Sequence, residues 1–184
     1  MGVQVVAPDL NSPSFEKLDF DAMVETAAAA SGPAAPDVIV GSSLGALVAL
    51  ELARRGMRAP LVLVAPAIGV DDLWFEKIPE GDPLIIFNYA EEREMPIHRA
   101  FFDRIVRVRP WAEAPPVRTA VIMGRDDDEV PFDRVAGVWR EWEASGLLVL
   151  GSSFVEIPRG DHRLIDHMET IASLVMHEID HGRS

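Results

Sequence analysis

The segment Val38-Ile39-Val40-Gly41-Ser42-Ser43-Leu44-Gly45-Ala46 constrains the fold of this chain more than any other. Three β-branched residues in a row, after Asp37, read as a strand buried on both faces. Residues 44–55 are small or branched and mostly apolar, and Gly56 stops them, so they read as a helix. Only the turn at 41–43 separates the two. A doubly buried strand that feeds a helix directly belongs to a parallel sheet covered by helices.

The rest of the chain keeps this rhythm. Residues 3–7 form a short apolar run ended by Pro8-Asp9, which reads as a further buried strand. A loop with Asn11, Ser12, Pro13 and Ser14 follows. Residues 20–30 read as a helix, with Asp19 before it and Ser31-Gly32-Pro33 after it. Strands are expected at 61–65 and 117–123, and a helix at 131–144 with Pro131 in its first turn. Residues 147–150 and 154–157 read as one broken strand or two short ones. The last helix is expected over 164–180, with Leu164, Met168, Ile171 and Val175 on one face. The order β-α-β-α-β, insert, β-α-β-α predicts one α/β domain over 1–184: an open, mainly parallel sheet with helices on both faces.

Residues 67–115 break the pattern. They carry Trp74, Phe75, Phe87, Tyr89, Phe101, Phe102 and Trp111 among several prolines. Two readings stand side by side: a lid or pocket wall, or a decorated connection that only packs.

Charge and composition narrow the functional classes. Lys and Arg total 17 against 30 Asp and Glu, a formal net charge of −13. Such a surface repels phosphate backbones and anionic lipid, so neither nucleic-acid nor membrane binding is expected. No apolar run reaches the roughly 18 residues of a membrane span, and the start has no basic or long apolar leader. With 0 Cys there is no disulfide framework and no thiolate metal site. A cytoplasmic location is expected.

The turn at 41–45 is the candidate for chemistry. It reads G-x-S-x-G, with Ser43 central and Ser42 as its neighbour. By composition alone such a triplet arises in about one chain in fifteen of this length, so context decides. The context is strand, tight turn, helix, which lifts a serine hydroxyl beside the free N–H groups of a helix start. The plain alternative is a strand–helix turn with Ser43 as helix N-cap. A serine nucleophile needs a base, and the base an orienting acid, in the chain order serine, acid, histidine. Both follow. The strand at 117–123 runs into Gly124-Arg125-Asp126-Asp127-Asp128-Glu129-Val130-Pro131, and the strand at 154–157 into Pro158-Arg159-Gly160-Asp161-His162. Three strand-end loops at one sheet edge are where open α/β sheets place their sites.

These three motifs together resemble the α/β-hydrolase superfamily, in its small bacterial esterase-like type. Gly41-Ser42-Ser43-Leu44-Gly45 matches the nucleophile elbow, Gly124-x-x-Asp127-x-x-Val130-Pro131 the acid loop, and Gly160-Asp161-His162 the histidine loop. Ala7-Pro8-Asp9-Leu10 is similar to the segment after the family's fourth strand. The resemblance covers most of the chain and is weak across 67–115. It implies Ser43 as nucleophile, His162 as general base, Asp127 as acid and the Leu44 N–H as an oxyanion donor. It implies no metal and no organic cofactor. The family's usual first strand and its His-Gly oxyanion loop have no counterpart here, so the expected fold is an N-terminally abbreviated one. Loss of one oxyanion donor typically costs about 10²–10³ in rate, so a weakened catalyst is expected.

Single residues have rivals. Asp126 and Asp128 compete with Asp127, and a run of four acids also reads as a solvated loop. His177 and His181 are four apart, and a solvated C-terminus accounts for them. Trp139 and Trp142 read as packing residues or as a partner patch. Two functions follow: a serine hydrolase of small carboxylic esters or thioesters, whose aromatic insert lines an acyl pocket, or a non-catalytic protein of the same fold that binds a ligand or partner. An unpaired sheet edge would favour a homodimer.

Overall fold

The computed structural model describes residues 2–32, 35–69, 83–88 and 91–182. It divides into two compact units: Met1–Pro33 with Val70–Arg109, and Ala34–Gly69 with Pro110–Ser184.

The second unit holds a four-stranded parallel sheet. Its strands are β1 (Ile39–Ser42), β2 (Leu61–Val64), β5 (Thr119–Gly124) and β6 (Ser153–Ile157), in the order β1-β2-β5-β6. The register runs Ser42 to Val64, Val64 to Ile122 and Ile122 to Val155, so all four strands end along one edge. Helices α2 (Leu44–Arg54), α4 (Phe132–Ser145) and α5 (Met168–Gly182) pack on this sheet. The two central strands are the most apolar, and every residue of β2 and β5 is buried. Doubly buried strands predict this for β2 and β5. Strand β1, also expected to be buried on both faces, departs from it: among the described residues it pairs only with β2, and Val40 is 48% exposed.

Two buried glutamates are paired with arginines, one within α2 and its C-cap and one between α5 and the start of β5. Glu51 of α2 is fully buried and takes hydrogen bonds from Arg54 at 2.6 and 2.7 Å and from Arg55 at 2.7 Å. Glu178 of α5 is 1% exposed and takes one from Arg118, just before β5, at 2.5 Å. In α4, Trp142 donates its indole N–H to the Trp111 carbonyl at 3.0 Å, and Trp139 lies against Phe154 of β6 with ring centroids 5.7 Å apart. Both tryptophans are therefore packing residues.

The first unit contains α1 (Phe20–Ala30), an antiparallel hairpin of β3 (Leu84–Asn88) and β4 (Arg93–Ile97), and α3 (Arg99–Val108). The Asp19 carboxylate caps α1 by accepting the Ala22 N–H at 2.9 Å. Asp21 of α1 and Arg104 of α3 form an ion pair at 2.6 Å. Phe20, Met23, Val24, Met95, Ile97, Phe101, Phe102 and Ile105 are buried.

Several expectations are corrected. Residues 3–7 form no strand, and Val3, Val5 and Val6 are 55%, 82% and 60% exposed. An apolar run becomes a strand only when a neighbour takes its N–H groups, and among the described residues none pairs with it. Residues 147–150 form no strand either. Gly151, at φ 89°, turns the chain, and the Ser152 hydroxyl accepts the Thr119 N–H at 3.1 Å, so the ladder starts only at Ser153. The final helix begins at Met168 rather than 164, after a 3-10 turn at Ile165–His167, and Met168 points to solvent. Part of the segment 67–115 is regular, as hairpin and helix. Trp74, Phe75 and Tyr89, and the side chain of Phe87, lie outside the described residues. Among the described residues no helix is long and apolar enough to cross a membrane.

Candidate active site

Ser43 sits between β1 and α2 with φ 51° and ψ −118°. A non-glycine residue in this region carries strain of order 1–3 kcal/mol and persists only where its surroundings hold it. The Ser43 N–H donates to the Val64 carbonyl at 2.9 Å, and its own carbonyl accepts from Ala46 and Ala67 at 3.1 and 3.2 Å. Gly41 makes the turn feasible. A Cβ there would lie 2.6 Å from the Gly45 carbonyl oxygen and 2.7 Å from the Ala46 Cα. At Gly45 a Cβ would meet nothing within 4 Å, so that glycine is not required for close packing. The N-cap alternative for Ser43 fails on its own test, because its side chain makes no capping hydrogen bond.

The Ser43 hydroxyl turns instead to His162. Its Oγ is 3.0 Å from His162 Nε2, and His162 Nδ1 is 2.8 Å from Asp127 Oδ2. An ionised carboxylate only accepts, so Nδ1 carries the proton and Nε2 is free to accept from the serine hydroxyl. Asp127 is fixed on its other side: Oδ1 accepts the Glu129 and Val130 N–H groups at 3.0 and 2.8 Å. The side chain of Asp127 is fully buried and that of His162 is 10% exposed. Neither Asp126 nor Asp128 occupies this position, and both are exposed.

The acid and histidine loops are locked together. Arg125 N–H donates to the Ile157 carbonyl at 2.9 Å and Asp126 N–H to the Gly160 carbonyl at 3.0 Å. Asp161 accepts the Leu164 N–H at 2.8 Å, holding the buried Leu164 in the left-handed region at φ 48°. Leu44 opens α2, so its N–H has no acceptor within the helix.

Electrostatics raise the proton affinity of the imidazole. Burial opposes the imidazolium, but the hydrogen bond and charge of Asp127, then the charges of Glu129 and Asp128, outweigh it and hold His162 above the ordinary histidine value. Glu129 is the residue that motif reading passes over. Its Oε2 lies 3.7 Å from Nε2, on the nitrogen that Asp127 does not touch.

Other candidates fall away from the site. His177 and His181 stack with centroids 4.1 Å apart, and His181 Nδ1 is bonded to the His177 carbonyl at 2.9 Å. Among the described residues no group of three or more His, Asp or Glu side chains is placed to hold a metal. A groove of about 290 Å³ beside α4, lined by Phe132, Trp139 and Phe154, contains none of Ser43, Asp127 or His162.

A model of the alpha/beta hydrolase family matches residues 2–174. A search of curated proteins found no match. Among solved structures the chain is similar to mouse alpha/beta hydrolase domain-containing protein 10, at 19% identity and a TM-score of 0.63, covering 88% of this chain and 68% of that one. It is similar to Est1E of Butyrivibrio proteoclasticus bound to ferulic acid, at 14% identity and 0.66, over 90% and 71%. A third is a monoacylglycerol lipase of Paleococcus ferrophilus, at 16% and 0.64, over 89% and 76%. At these identities the likeness is one of fold.

Proposed function

We propose that this chain, which belongs to the alpha/beta hydrolase family, is a serine hydrolase that cleaves small carboxylic esters or thioesters through an acyl-enzyme on Ser43. The observation that carries the reading is the hydrogen-bonded series Ser43–His162–Asp127, at 3.0 and 2.8 Å, on a strained turn at a helix start. A serine that served only as a cap would bond its own helix, not a part-buried histidine 119 positions away.

Each group has one task. Oγ attacks the acyl carbon while its proton passes to Nε2. Asp127 holds the tautomer and balances the imidazolium that forms. The Leu44 N–H donates to the oxyanion as the carbonyl becomes tetrahedral. The C–O or C–S bond then breaks, and Nε2–H gives its proton to the departing oxygen or sulfur. Water repeats the sequence on the acyl-enzyme and frees the acid and Ser43. No metal or cofactor has a step in this scheme. The substrate reading is a small-molecule acyl compound, not nucleic acid or lipid surface.

The test is turnover of p-nitrophenyl acyl esters of graded chain length by the parent, Ser43→Ala and His162→Ala. The expected result is saturable hydrolysis by the parent, with both variants at the uncatalysed background. Equal hydrolysis by parent and Ser43→Ala would contradict the proposal.

A further inference from the structure

We propose that Glu129 is a second carboxylate partner of His162, acting on the imidazole from the leaving-group side and setting a charge preference there. The proposal rests on the hydrolase reading of the same site.

Three observations carry it. Glu129 Oε2 is 3.7 Å from Nε2, the nitrogen that bonds Ser43. The backbone of Glu129 is fixed by the turn that anchors Asp127, since its own N–H donates to Asp127 Oδ1 at 3.0 Å. Its side chain is 53% exposed, whereas that of Asp127 is fully buried, so the two carboxylates face His162 from differently hydrated sides.

The consequence follows from which proton state each carboxylate can bond. Asp127 accepts Nδ1–H in both states of the ring. With neutral His162, Nε2 carries no proton and offers Glu129 nothing to accept. With the imidazolium, Nε2–H gains a negative neighbour. Glu129 therefore favours only the charged form, the form that appears when Oγ gives up its proton. The charged groups acting on His162 are Asp127, Glu129 and Asp128, all from the acid loop, while Asp161 and Arg163 flank it in sequence.

Nε2–H is also the proton donor to the departing group, so that group passes beside Glu129. A leaving alcohol with a negative substituent is repelled there and one with a positive substituent attracted. Half-exposed charges several ångströms apart make this an effect of about threefold to tenfold at low salt, fading as ionic strength rises.

The test has two arms on the full chain, comparing parent, Glu129→Gln, Glu129→Asp, and Glu141→Gln as a control for one lost charge on α4. First, proton NMR titration of the His162 ring, assigned with His162→Ala. Glu129→Gln is expected to lower its pKa by about half a unit to one unit, Glu129→Asp to retain part of the difference, and Glu141→Gln to leave it in place. Second, kcat/KM for acetyl esters of a trimethylammonium alcohol, its neutral isostere and a hydroxy acid. The cationic-to-anionic ratio is expected to fall about threefold to tenfold in Glu129→Gln. An unchanged titration in a folded Glu129→Gln overturns the proposal whatever the protein cleaves. A shifted titration without ester cleavage by the parent instead overturns the hydrolase reading, and the leaving-group preference with it.

Discussion

Gly124 and Gly160 cross so closely that a Cβ on Gly124 would fall on the Gly160 carbonyl. In the other direction, a Cβ on Gly160 would lie 3.0 Å from the Gly124 Cα and 2.5 Å from Leu164 Cδ2. The contact sits between the loops that carry Asp127 and His162, so the spacing of the acid to the imidazole depends on two absent side chains.

Gly124→Ala is therefore expected to act on the site and on stability together. The obstacles are backbone atoms that cannot rotate away, so the cost is about 3 kcal/mol. A shift of the order of 1 Å between Asp127 and His162 is enough to lower kcat about a hundredfold. Urea unfolding and ester turnover check the two effects, and a variant with parental values in both would show that the loops tolerate the displacement.

The two elbow glycines are expected to differ. Gly41→Ala meets the backbone of Gly45 and Ala46 and should destabilise by about 2–3 kcal/mol. Gly45→Ala enters open space within α2 and should stabilise by up to about 1 kcal/mol, as alanine does in a helix. Thermal melts of both variants decide it, and equal losses would show that the close approach is shared.

Activity should require neutral His162. Because its proton affinity is raised, the acidic limb of kcat/KM is expected above the ordinary histidine value of about 6.5, with activity lost as pH falls through it. The linkage to stability has the opposite sense. The folded state holds this proton more tightly than the unfolded chain, so that contribution is full below about 6.5 and disappears as pH rises through the folded value. Asp127→Asn should lower kcat about 10³–10⁴-fold with little change in fold, since asparagine can fix the wrong tautomer. A pH profile with its limb below 6 would contradict the electrostatic account.

Glu51 gives a structural pH effect away from the site. Burial pushes its carboxyl up, but hydrogen bonds from Arg54 and Arg55 and their charges bring it below the ordinary glutamate range. Its stabilising share is thus present above about 4.3 and lost as pH falls through the lowered folded value. Glu51→Gln should destabilise by about 1–3 kcal/mol at pH 7, with the difference from the parent shrinking below pH 4. Chemical unfolding at both pH values measures it, and a constant difference would assign the loss to packing alone.

The elements legible in the sequence are those whose local pattern and final environment agree. Residues 38–46 read as strand, turn and helix because β-branched residues, a glycine and an apolar helix each favour the state they adopt, although the burial expected of the strand is not met, with Val40 48% exposed. Residues 20–30 read as a helix because Asp19 can cap it. The run 3–7 fails on both counts, since its valines are exposed and among the described residues no strand pairs with it. The hairpin of β3 and β4 escapes notice because Pro96 interrupts its strand pattern, while α3 was available in the spacing of Phe101, Phe102 and Ile105. At the site, chain order and motif spacing single out Ser43, Asp127 and His162, which the structure brings into one hydrogen-bonded series. The distance of Glu129 from Nε2 is a tertiary fact with no local signature, and so is the crossing of Gly124 with Gly160.

The most direct measurement of the central claim is labelling with a fluorophosphonate, read by peptide mass spectrometry, on the parent, Ser43→Ala and His162→Ala. The account predicts a phosphonyl adduct on Ser43 in the parent and none in either variant. A folded parent without adduct, or an adduct on Ser43 that survives in His162→Ala, would contradict an activated serine at this turn.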